Sequence, residues 1–378
     1  WTIFSLLLGV ASPALVMGKT ADLAGIVAGV LFGLAAVGAG VVALHRRRTD
    51  PTWPPMKNPY PLLTPYSAEY APVYFGRTDE VADIAARARA GVTVTERFIG
   101  VVGPSGCGKS SLVRAGVVPA LQRREIWPPS MWFRPKTLPP FVVGQDPFAS
   151  LAAALGGDEK LAEAMRRDAD AAIEASVEGA RPAGSVELLR AVARRRGRAS
   201  RLVIILDQLE DLSGLPEQRL GFMLLLKCLL RDDPRLVIIA TVRPDLFGPL
   251  LDGPAGDLFS EQVVVLPMDQ VRLASIIEGP ARAARVELGD GVVHRMLADT
   301  RGADALPVLS YLLHHLWEDA AKDGLITLDE YERAMGEHNA IAEHAENATR
   351  SMAPAVSREA VLDSLLQLVN HNGNDAYR

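Results

Sequence analysis

The stretch that decides the fold is an eight-residue sequence, Gly103-Pro104-Ser105-Gly106-Cys107-Gly108-Lys109-Ser110. It matches the pattern G-x-x-x-x-G-K-[ST] at every fixed position, and an apolar run at 98–102 precedes it while a helical pattern at 111–116 follows. In such a strand, loop and helix, the glycines let successive backbone N–H groups point at phosphate groups, aided by the helix N-terminus. The alternative is a glycine-rich turn before an ordinary helix, which the flanking pattern disfavours.

The loop sequence also predicts the roles of individual side chains. We expect Lys109 on the β- and γ-phosphates of a nucleotide and Ser110 on Mg²⁺. Cys107 stands at a variable position of the motif and needs no chemical role. The residues expected to bind the phosphates are Gly103, Pro104, Ser105, Gly106, Cys107, Gly108, Lys109, Ser110 and Ser111.

A Mg²⁺-bound triphosphate needs a carboxylate at the end of a neighbouring strand, and the apolar run 202–206 ends in Asp207. We expect Asp207 to hold Mg²⁺ through water, and Glu210 to orient or deprotonate the attacking water. Together with Lys109 these are the candidate catalytic residues. Asp-x-x-Glu is also the pattern of a helix capping box, so a structural role for Glu210 and Asp211 stays open at this point.

Apolar runs that alternate with helical stretches predict a five-stranded parallel sheet with helices on both faces, an α/β P-loop domain. The runs are 98–102, 131–133, 202–206, 236–240 and 263–266. Thr241 and Arg243 follow one of them, at the edge of the sheet where ligands bind. Arg243 is therefore either a sensor of the γ-phosphate or a solvated side chain.

The beginning of the chain predicts a membrane hairpin. Residues 21–44 are almost uninterruptedly apolar and long enough to cross the hydrocarbon core, and residues 1–17 form a shorter apolar run. Arginines at 46–48 outnumber the single Lys19 between the runs, so the positive-inside rule places the rest of the chain in the cytoplasm. We expect residues 1–45 to anchor the protein in the lipid of the cell (inner) membrane.

A proline-rich segment follows the predicted hairpin. Seven prolines lie between Pro51 and Pro72, a density that disfavours both helix and strand. The sequence therefore predicts a stiff, extended cytoplasmic linker over residues 46–72. A proline-rich binding site for a partner is the alternative.

Composition excludes several classes of protein. The net charge is −5 and 49% of the 378 residues are hydrophobic, which argues against a basic nucleic-acid-binding arm and against a disordered chain. The arginines at 194–196 end a helical pattern that starts at Ser185, with Gly197 as its C′ residue, so we read them as helix-stabilising cations. We expect no direct nucleic-acid binding. Only two cysteines occur, too few for a disulfide framework.

Taken together, these motifs resemble the STAND class of signalling NTPases, and within it the bacterial novel STAND branch. The resemblance rests on the box at 74–80, the P-loop region 103–121, the Asp-Gln-Leu-Glu-Asp sequence at 207–211, the segment 241–245 and the Gly-Ala-Asp-Ala-Leu-Pro sequence at 302–307. It covers roughly residues 71–378. The chain begins with Trp1 and stops within a pattern, so we expect it to be a piece of a longer protein with sensor repeats beyond it.

The resemblance implies domains and site residues. It implies a P-loop NTPase domain at 73–270, a helical lid at 271–345 and the start of a winged-helix domain at 346–378. It also implies that Gly76, Arg77 and Pro307 lie near the adenine and that Arg243 senses the phosphate state.

The implied function is a membrane-anchored, ATP-binding signalling switch with slow Mg²⁺-dependent hydrolysis. ADP would hold the molecule closed, and exchange for ATP would open it and promote homo-oligomerisation with unknown sensor and effector partners. ATP is favoured over GTP because the sequence has no [NT]-K-x-D guanine-reading motif. The alternatives are a membrane scaffold that holds nucleotide without hydrolysing it, and an AAA+-like remodelling ATPase.

Overall fold

The computed structural model describes residues 52–123, 135–177, 186–300, 305–320, 323–336, 370–372 and 375–377, together with Gly33. The chain divides into two compact units, one formed by Trp53–Arg123 and Phe133–Arg378 and the other by Trp1–Thr52 and Arg124–Trp132. The first unit contains almost all of the described residues, and the fold below is that of this unit.

A parallel sheet forms the centre of the unit. In the described part of the chain its strands follow the order β2-β4-β5-β1-β6, with β3 also paired to β4. The strands are β1 Phe98–Val102, β2 Pro135–Thr137, β3 Phe141–Val142, β4 Arg201–Asp207, β5 Leu236–Val242 and β6 Gln262–Val264. Because β5 lies between β1 and β4, the side chains at its end stand between the P-loop and Asp207.

Helices cover both faces of the sheet. On one face the alternate strand residues pack against α3 to α6, and on the other against α1 and α2. The helices of this domain are α1 Thr78–Ala90, α2 (Lys109–Ser111, a π-helical turn Leu112–Val117, and Val118–Gln122), α3 Pro147–Ala154, α4 Glu159–Val177, α5 Val186–Arg196, α6 Pro216–Asp232 and α7 Gly248–Leu251. Short 3₁₀ helices are Ala68–Val73, Leu209–Gly214, Pro244–Leu246 and Gly256–Ser260.

One edge of the sheet differs from the sequence prediction. The predicted strand 131–133 lies outside the described residues, and β4 is instead paired by two short strands, β2 and β3. Between them stand Pro139 and Pro140, which have no N–H to donate to the ladder and so divide this edge into two pieces. The predicted end of α5 is confirmed, because the helix ends at Arg196 and Gly197 follows with φ +60°.

A second core belongs to a helical region, called the lid below. The lid consists of α8 Gln270–Ala283, α9 Val292–Asp299, α10 Ala305–Ala320 and α11 Leu328–Gly336, with the short parallel strands β7 Glu287–Leu288 and β8 Leu325–Ile326. Residues from all four helices, with Met296, Leu309 and Tyr331 among the most buried, share one hydrophobic cluster.

The proline-rich segment is not a free linker where the structure describes it. Residues 53–66, called the strap below, lie against the lid, and Trp53 and Tyr60 are only 6% and 2% exposed within its core. The Tyr60 hydroxyl donates to the carbonyl oxygen of Ile277 at 2.6 Å, and Ser310 Oγ donates to that of Leu62 at 2.7 Å. The strap thus forms no helix or strand, as expected, whereas Pro72 stands inside the 3₁₀ helix Ala68–Val73, and the aromatic side chains between the prolines dock the segment.

The predictions for the two ends of the chain fall largely outside the described residues. The predicted hairpin at 1–45 lies outside the described residues, Gly33 excepted, and none of the helices that are described is both long and apolar enough to span a bilayer. Most of the predicted winged-helix segment 346–378 also lies outside them. Within it the structure describes an antiparallel pair, β9 Asn370–Asn372 and β10 Asp375–Tyr377.

Docking of the strap predicts a large effect of Tyr60→Ala on stability. The substitution removes a buried ring and its hydrogen bond, so we expect the free energy of unfolding to fall by about 3 kcal/mol or more in urea denaturation. Leu63→Ala is the matched control, because Leu63 lies in the same segment and is 62% exposed. Equal stability of the two variants would show that the strap is a free tether.

Candidate nucleotide-binding site

The P-loop connects β1 to α2 and closes over its own lysine. Gly106 and Gly108 have φ of +73° and +90°, which side-chain-bearing residues rarely adopt. Lys109 is 8% exposed, and its Nζ donates to the carbonyl oxygens of Gly103 at 2.7 Å and Pro104 at 2.9 Å. The ammonium group is therefore held inside the loop by neutral oxygens.

Asp207 is the point where three elements of the domain meet. Its Oδ1 accepts hydrogen bonds from Ser110 Oγ of α2 at 2.9 Å and from Thr241 Oγ1 of β5 at 2.7 Å. Its Oδ2 accepts from Arg114, at 2.8 Å from Nη2 and 3.2 Å from Nε. Sequence analysis predicted that Ser110 and Asp207 would share a site, and the structure brings them together.

The capping-box interpretation does not fit these contacts, because both carboxylate oxygens of Asp207 accept hydrogen bonds from side chains. The 3₁₀ helix that follows begins after Gln208, whose φ of +59° is left-handed and whose N–H donates to Thr241 Oγ1 at 2.9 Å. Asp211 has a structural contact of another kind, since its Oδ2 accepts from the backbone N–H of Gly144 at 3.2 Å.

Glu210 is buried beside Asp207 without a full set of partners. It is 8% exposed, and its Oε2 has no hydrogen-bond partner among the residues that the structure describes. Burial raises the pKa of Glu210, an effect that the charges of Lys109 and Arg243 oppose. Arg243 itself pairs with Asp245, with Nη2 to Oδ2 at 2.6 Å. A buried carboxylate with a free oxygen can accept a hydrogen bond from a water molecule.

Gly76 and Arg77 take a place that the resemblance did not imply. Arg77 is 1% exposed and lies under the P-loop, where it donates to the carbonyl oxygens of Cys107 at 2.9 Å and Leu266 at 2.8 Å. It also pairs with Glu80, which contacts Arg272 of the lid. Neither Gly76 nor Arg77 is among the residues that line the cavity described next, because the guanidinium is used to fasten the loop from below.

The P-loop, the strap and the lid enclose a cavity of about 440 Å³. Its polar lining comes from the P-loop and the strand ends, with Lys109, Ser110, Gln208, Glu210, Thr241 and Arg243. Its apolar lining comes from the strap, the segment before α1, the loop before α8 and the lid, with Tyr66, Tyr74, Phe75, Met268, Ile276 and Leu313. A cavity of this kind, with charged groups on one part and rings on another, suits a nucleotide.

The lid closes directly onto the P-loop. A Cβ atom placed on Gly106 would lie 3.1 Å from Cγ of Pro307, and one on Gly108 would lie 3.2 Å from Cδ2 of Leu306. Both lid residues stand in the first turn of α10 and line the cavity. The lid and the phosphate-binding loop are therefore in contact rather than separate.

Comparison with known proteins identifies the family. The family model of novel STAND NTPase 1 matches residues 59–378, which is most of the chain. The chain belongs to the novel STAND NTPase 1 family. It is accordingly a nucleotide-binding P-loop NTPase with an α/β fold, as its P-loop indicated. None of the curated protein sequences compared with this novel STAND NTPase is significantly similar to it.

Solved structures resemble this novel STAND NTPase at low sequence identity. The Aeropyrum pernix ORC1 protein in complex with DNA is 17% identical, with a TM-score of 0.54 over 79% of this chain and 73% of that chain. Drosophila ORC bound to DNA is 18% identical, with a TM-score of 0.46 over 75% and 64%. The Walker-type ATPase of Pyrococcus abyssi is 12% identical, with a TM-score of 0.46 over 84% and 95%. The first of these likenesses supports the P-loop fold alone.

The residues of the novel STAND NTPase fit a magnesium ion of the type that P-loop proteins use. Ser110 Oγ and Asp207 Oδ1 are 2.9 Å apart and offer one hydroxyl and one carboxylate, the oxygen donors that Mg²⁺ takes together with phosphates and water. No cluster of three or more His, Cys, Asp or Glu residues in the described ranges has the geometry of a metal site.

Two contacts of this novel STAND NTPase were not foreseen from the sequence. Arg114 stands four residues after Ser110, one helical turn along the same face, a spacing that could have indicated its contact with Asp207. Tyr66 of the strap donates its backbone N–H to Ser111 Oγ at 3.1 Å, a contact between segments 45 residues apart that no local pattern reveals.

Burial of Glu210 predicts a pH-dependent stability difference for Glu210→Gln. Because the folded state raises the pKa of Glu210 above its ordinary 4.5, the folded protein binds its proton more tightly and loses stability as the pH rises through the raised pKa. The neutral variant does not. We expect Glu210→Gln to exceed the wild type by about 1 kcal/mol in free energy of unfolding at about pH 8, and by less toward pH 5.

Urea denaturation across that pH range measures this difference. Glu174→Gln, at an exposed position of α4, is the control and should show no such trend. A Glu210→Gln curve parallel to that of the control would contradict the burial of a charged Glu210.

Proposed function

We propose that the chain is a Mg²⁺-dependent ATP-binding switch that hydrolyses ATP slowly and whose nucleotide state is read by the lid. The observation that carries the proposal is the cavity shared by the P-loop, the strap and the lid, with Leu306 and Pro307 against the phosphate-binding glycines. A nucleotide placed there touches both the catalytic domain and the element that must move. Differential contact of this kind is what a ligand needs to shift a conformational equilibrium.

The phosphates belong at the polar lining. Residues of the P-loop and of the first turn of α2 line the cavity, and the helix N-terminus favours negative charge. Lys109 lines the same part of the cavity. Its ammonium group can exchange the carbonyl oxygens of Gly103 and Pro104 for negatively charged phosphate oxygens. A charge-assisted hydrogen bond is stronger than a bond to a neutral carbonyl, so phosphate binding is favoured.

Ser110 and Asp207 would hold the magnesium ion, Ser110 directly and Asp207 through water. The ion supplies charge neutralisation on the phosphates when it is bound. Thr241 keeps Oδ1 of Asp207 in place from the other side, and it also fixes the left-handed Gln208. The strand end is thereby rigid before any ligand arrives.

Glu210 is the group that would act on the attacking water. Its Oε2 has no hydrogen-bond partner in the described part of the chain, its carboxyl is buried, and its raised pKa makes it a stronger base once it is ionised. Arg243 lies on the same cavity wall but is paired with Asp245, so a sensor role requires that pair to open. This pairing supports slow turnover in the conformation described.

The base belongs at the apolar lining. Tyr66 of the strap, Tyr74 and Phe75 present rings, and Ile276 and Leu313 of the lid lie on the wall with them. Adenine is a flat, largely apolar group that such a wall can hold. The absence of an [NT]-K-x-D sequence in the chain favours adenine over guanine.

The switch would couple to a membrane and to assembly. The apolar run at 21–44 supports a membrane anchor. The docked strap begins only eight residues after His45, so a movement of the lid would be transmitted along this short segment toward the anchor. Exchange of ADP for ATP would separate the first turn of α10 from the P-loop and release a surface for homo-oligomerisation.

Extraction of membranes at high pH tests the anchor. We expect the full chain to resist extraction, and full extraction would contradict the anchor.

Two substitutions test binding and hydrolysis separately. We expect Lys109→Ala to weaken binding of a fluorescent ATP analogue with Mg²⁺ by about 100-fold or more, since it removes a charge-assisted bond to phosphate. We expect Glu210→Gln to bind the analogue normally and to lose ATP turnover by about 100-fold or more. Lys160→Ala, at an exposed position of α4, is the control for both measurements.

The outcomes separate the candidate functions. Unchanged affinity in Lys109→Ala would contradict the site. Normal binding by the wild type without measurable turnover would contradict hydrolysis and favour the scaffold. Nucleotide-dependent closed rings in sizing experiments would favour the remodelling ATPase.

A further inference from the structure

Asp207, the carboxylate expected to face the metal ion, forms an ion pair with an arginine in this structure. Arg114 lies 2.8 Å from Oδ2 of Asp207 through Nη2, and the Asp207 side chain is only 3% exposed while that of Arg114 is 29% exposed. Within the described ranges, Arg114 is the cation that forms an ion pair with Asp207. Lys109 does not serve this purpose, because its ammonium group is bound to P-loop carbonyls.

The two oxygens of Asp207 are divided between two kinds of partner. Oδ1 receives the neutral hydroxyls of Ser110 and Thr241, and Oδ2 receives the guanidinium. We take Oδ1 and Ser110 as the metal side, and because Arg114 binds the other oxygen, Oδ2, it need not leave when a cation binds. Arg114 belongs to the π-helical turn Leu112–Val117 of α2, a local departure from the regular helix that often accompanies functional positions.

The Arg114–Asp207 ion pair balances the charge of a buried carboxylate. An uncompensated buried carboxylate is unfavourable, and either a metal ion or a side-chain cation can balance it. With Arg114 in place, Mg²⁺ alone finds one carboxylate that is already paired and one neutral hydroxyl. Only phosphate groups add the negative charge that makes the site attractive to a divalent cation.

We propose that Arg114 is the internal counter-ion of Asp207, a positioning residue that balances the carboxylate while no metal is bound. It thereby makes Mg²⁺ binding depend on nucleotide. The assignment rests on the proposed function in one respect, namely that Asp207 faces Mg²⁺. It adds that Arg114 already balances the charge of Asp207, so that Mg²⁺ binds together with nucleotide and the bound nucleotide sets the state of the switch.

Thermal unfolding of the full chain without nucleotide tests the counter-ion. We expect the wild type to have the same Tm in EDTA and in about 5 mM Mg²⁺ at matched ionic strength. Arg114→Gln should unfold at a lower Tm in EDTA and recover with Mg²⁺, because the ion replaces the lost charge. Its apparent Mg²⁺ dissociation constant should be at least about 10-fold lower than that of the wild type.

Two further variants separate charge from packing. Arg114→Lys keeps the cation and should show no Mg²⁺ response, as in the wild type. The double variant Arg114→Gln with Asp207→Asn has no charge to balance, so it should lose the Mg²⁺ response of Arg114→Gln. A Mg²⁺ response that survives in the double variant, or its absence in Arg114→Gln, would overturn the proposal.

Nucleotide binding in EDTA keeps the two proposals distinguishable. Arg114 contacts Asp207 and not the P-loop amides, so Arg114→Gln should bind the fluorescent analogue in EDTA within about 2-fold of the wild type. A larger loss would show that Arg114 acts on the phosphates instead and would overturn the counter-ion role. Failure of the wild type to bind with or without Mg²⁺ would refute the proposed function, whereas the Mg²⁺ response of Arg114→Gln would still decide the role of Arg114.

Discussion

The buried carboxylate of Asp207 is the constraint on which the site depends. A carboxylate at this depth must be fully hydrogen-bonded and its charge balanced, and two neighbouring elements supply what it needs. The helix after the P-loop provides Ser110 and Arg114, and β5 provides Thr241. Because β5 lies between β1 and β4, satisfying one carboxylate also fixes the P-loop helix against two strand ends.

The lid and the strap complete the site from outside the sheet. The strap is docked on the lid through Trp53 and Tyr60, and a hydrogen bond from Tyr66 to Ser111 joins it to the P-loop helix. On the opposite side, Arg77 joins the P-loop carbonyl of Cys107 to Glu80, which contacts the lid through Arg272. The lid is thus connected to the P-loop from above by packing and from below by charges, and a change in the loop is transmitted to both.

Local patterns predicted the parts of the site that local chemistry determines. The P-loop glycines, Lys109, Ser110 and the strand ending in Asp207 all follow from short motifs with a physical purpose, and these groups are brought together. Three features did not follow, because each depends on distant contacts. The strap was read as a spacer although its rings are buried, Arg77 lies under the loop rather than in the cavity, and the sheet edge beside β4 is split by two prolines.

A crystal structure with Mg²⁺ and a non-hydrolysable ATP analogue tests the central claim most directly. The account predicts phosphates on the P-loop amides, the metal beside Ser110 with Asp207 joined to it through water, Arg114 still on Oδ2, and the base against Tyr66 and Tyr74. A nucleotide bound outside this cavity, or a metal far from Asp207, would contradict it.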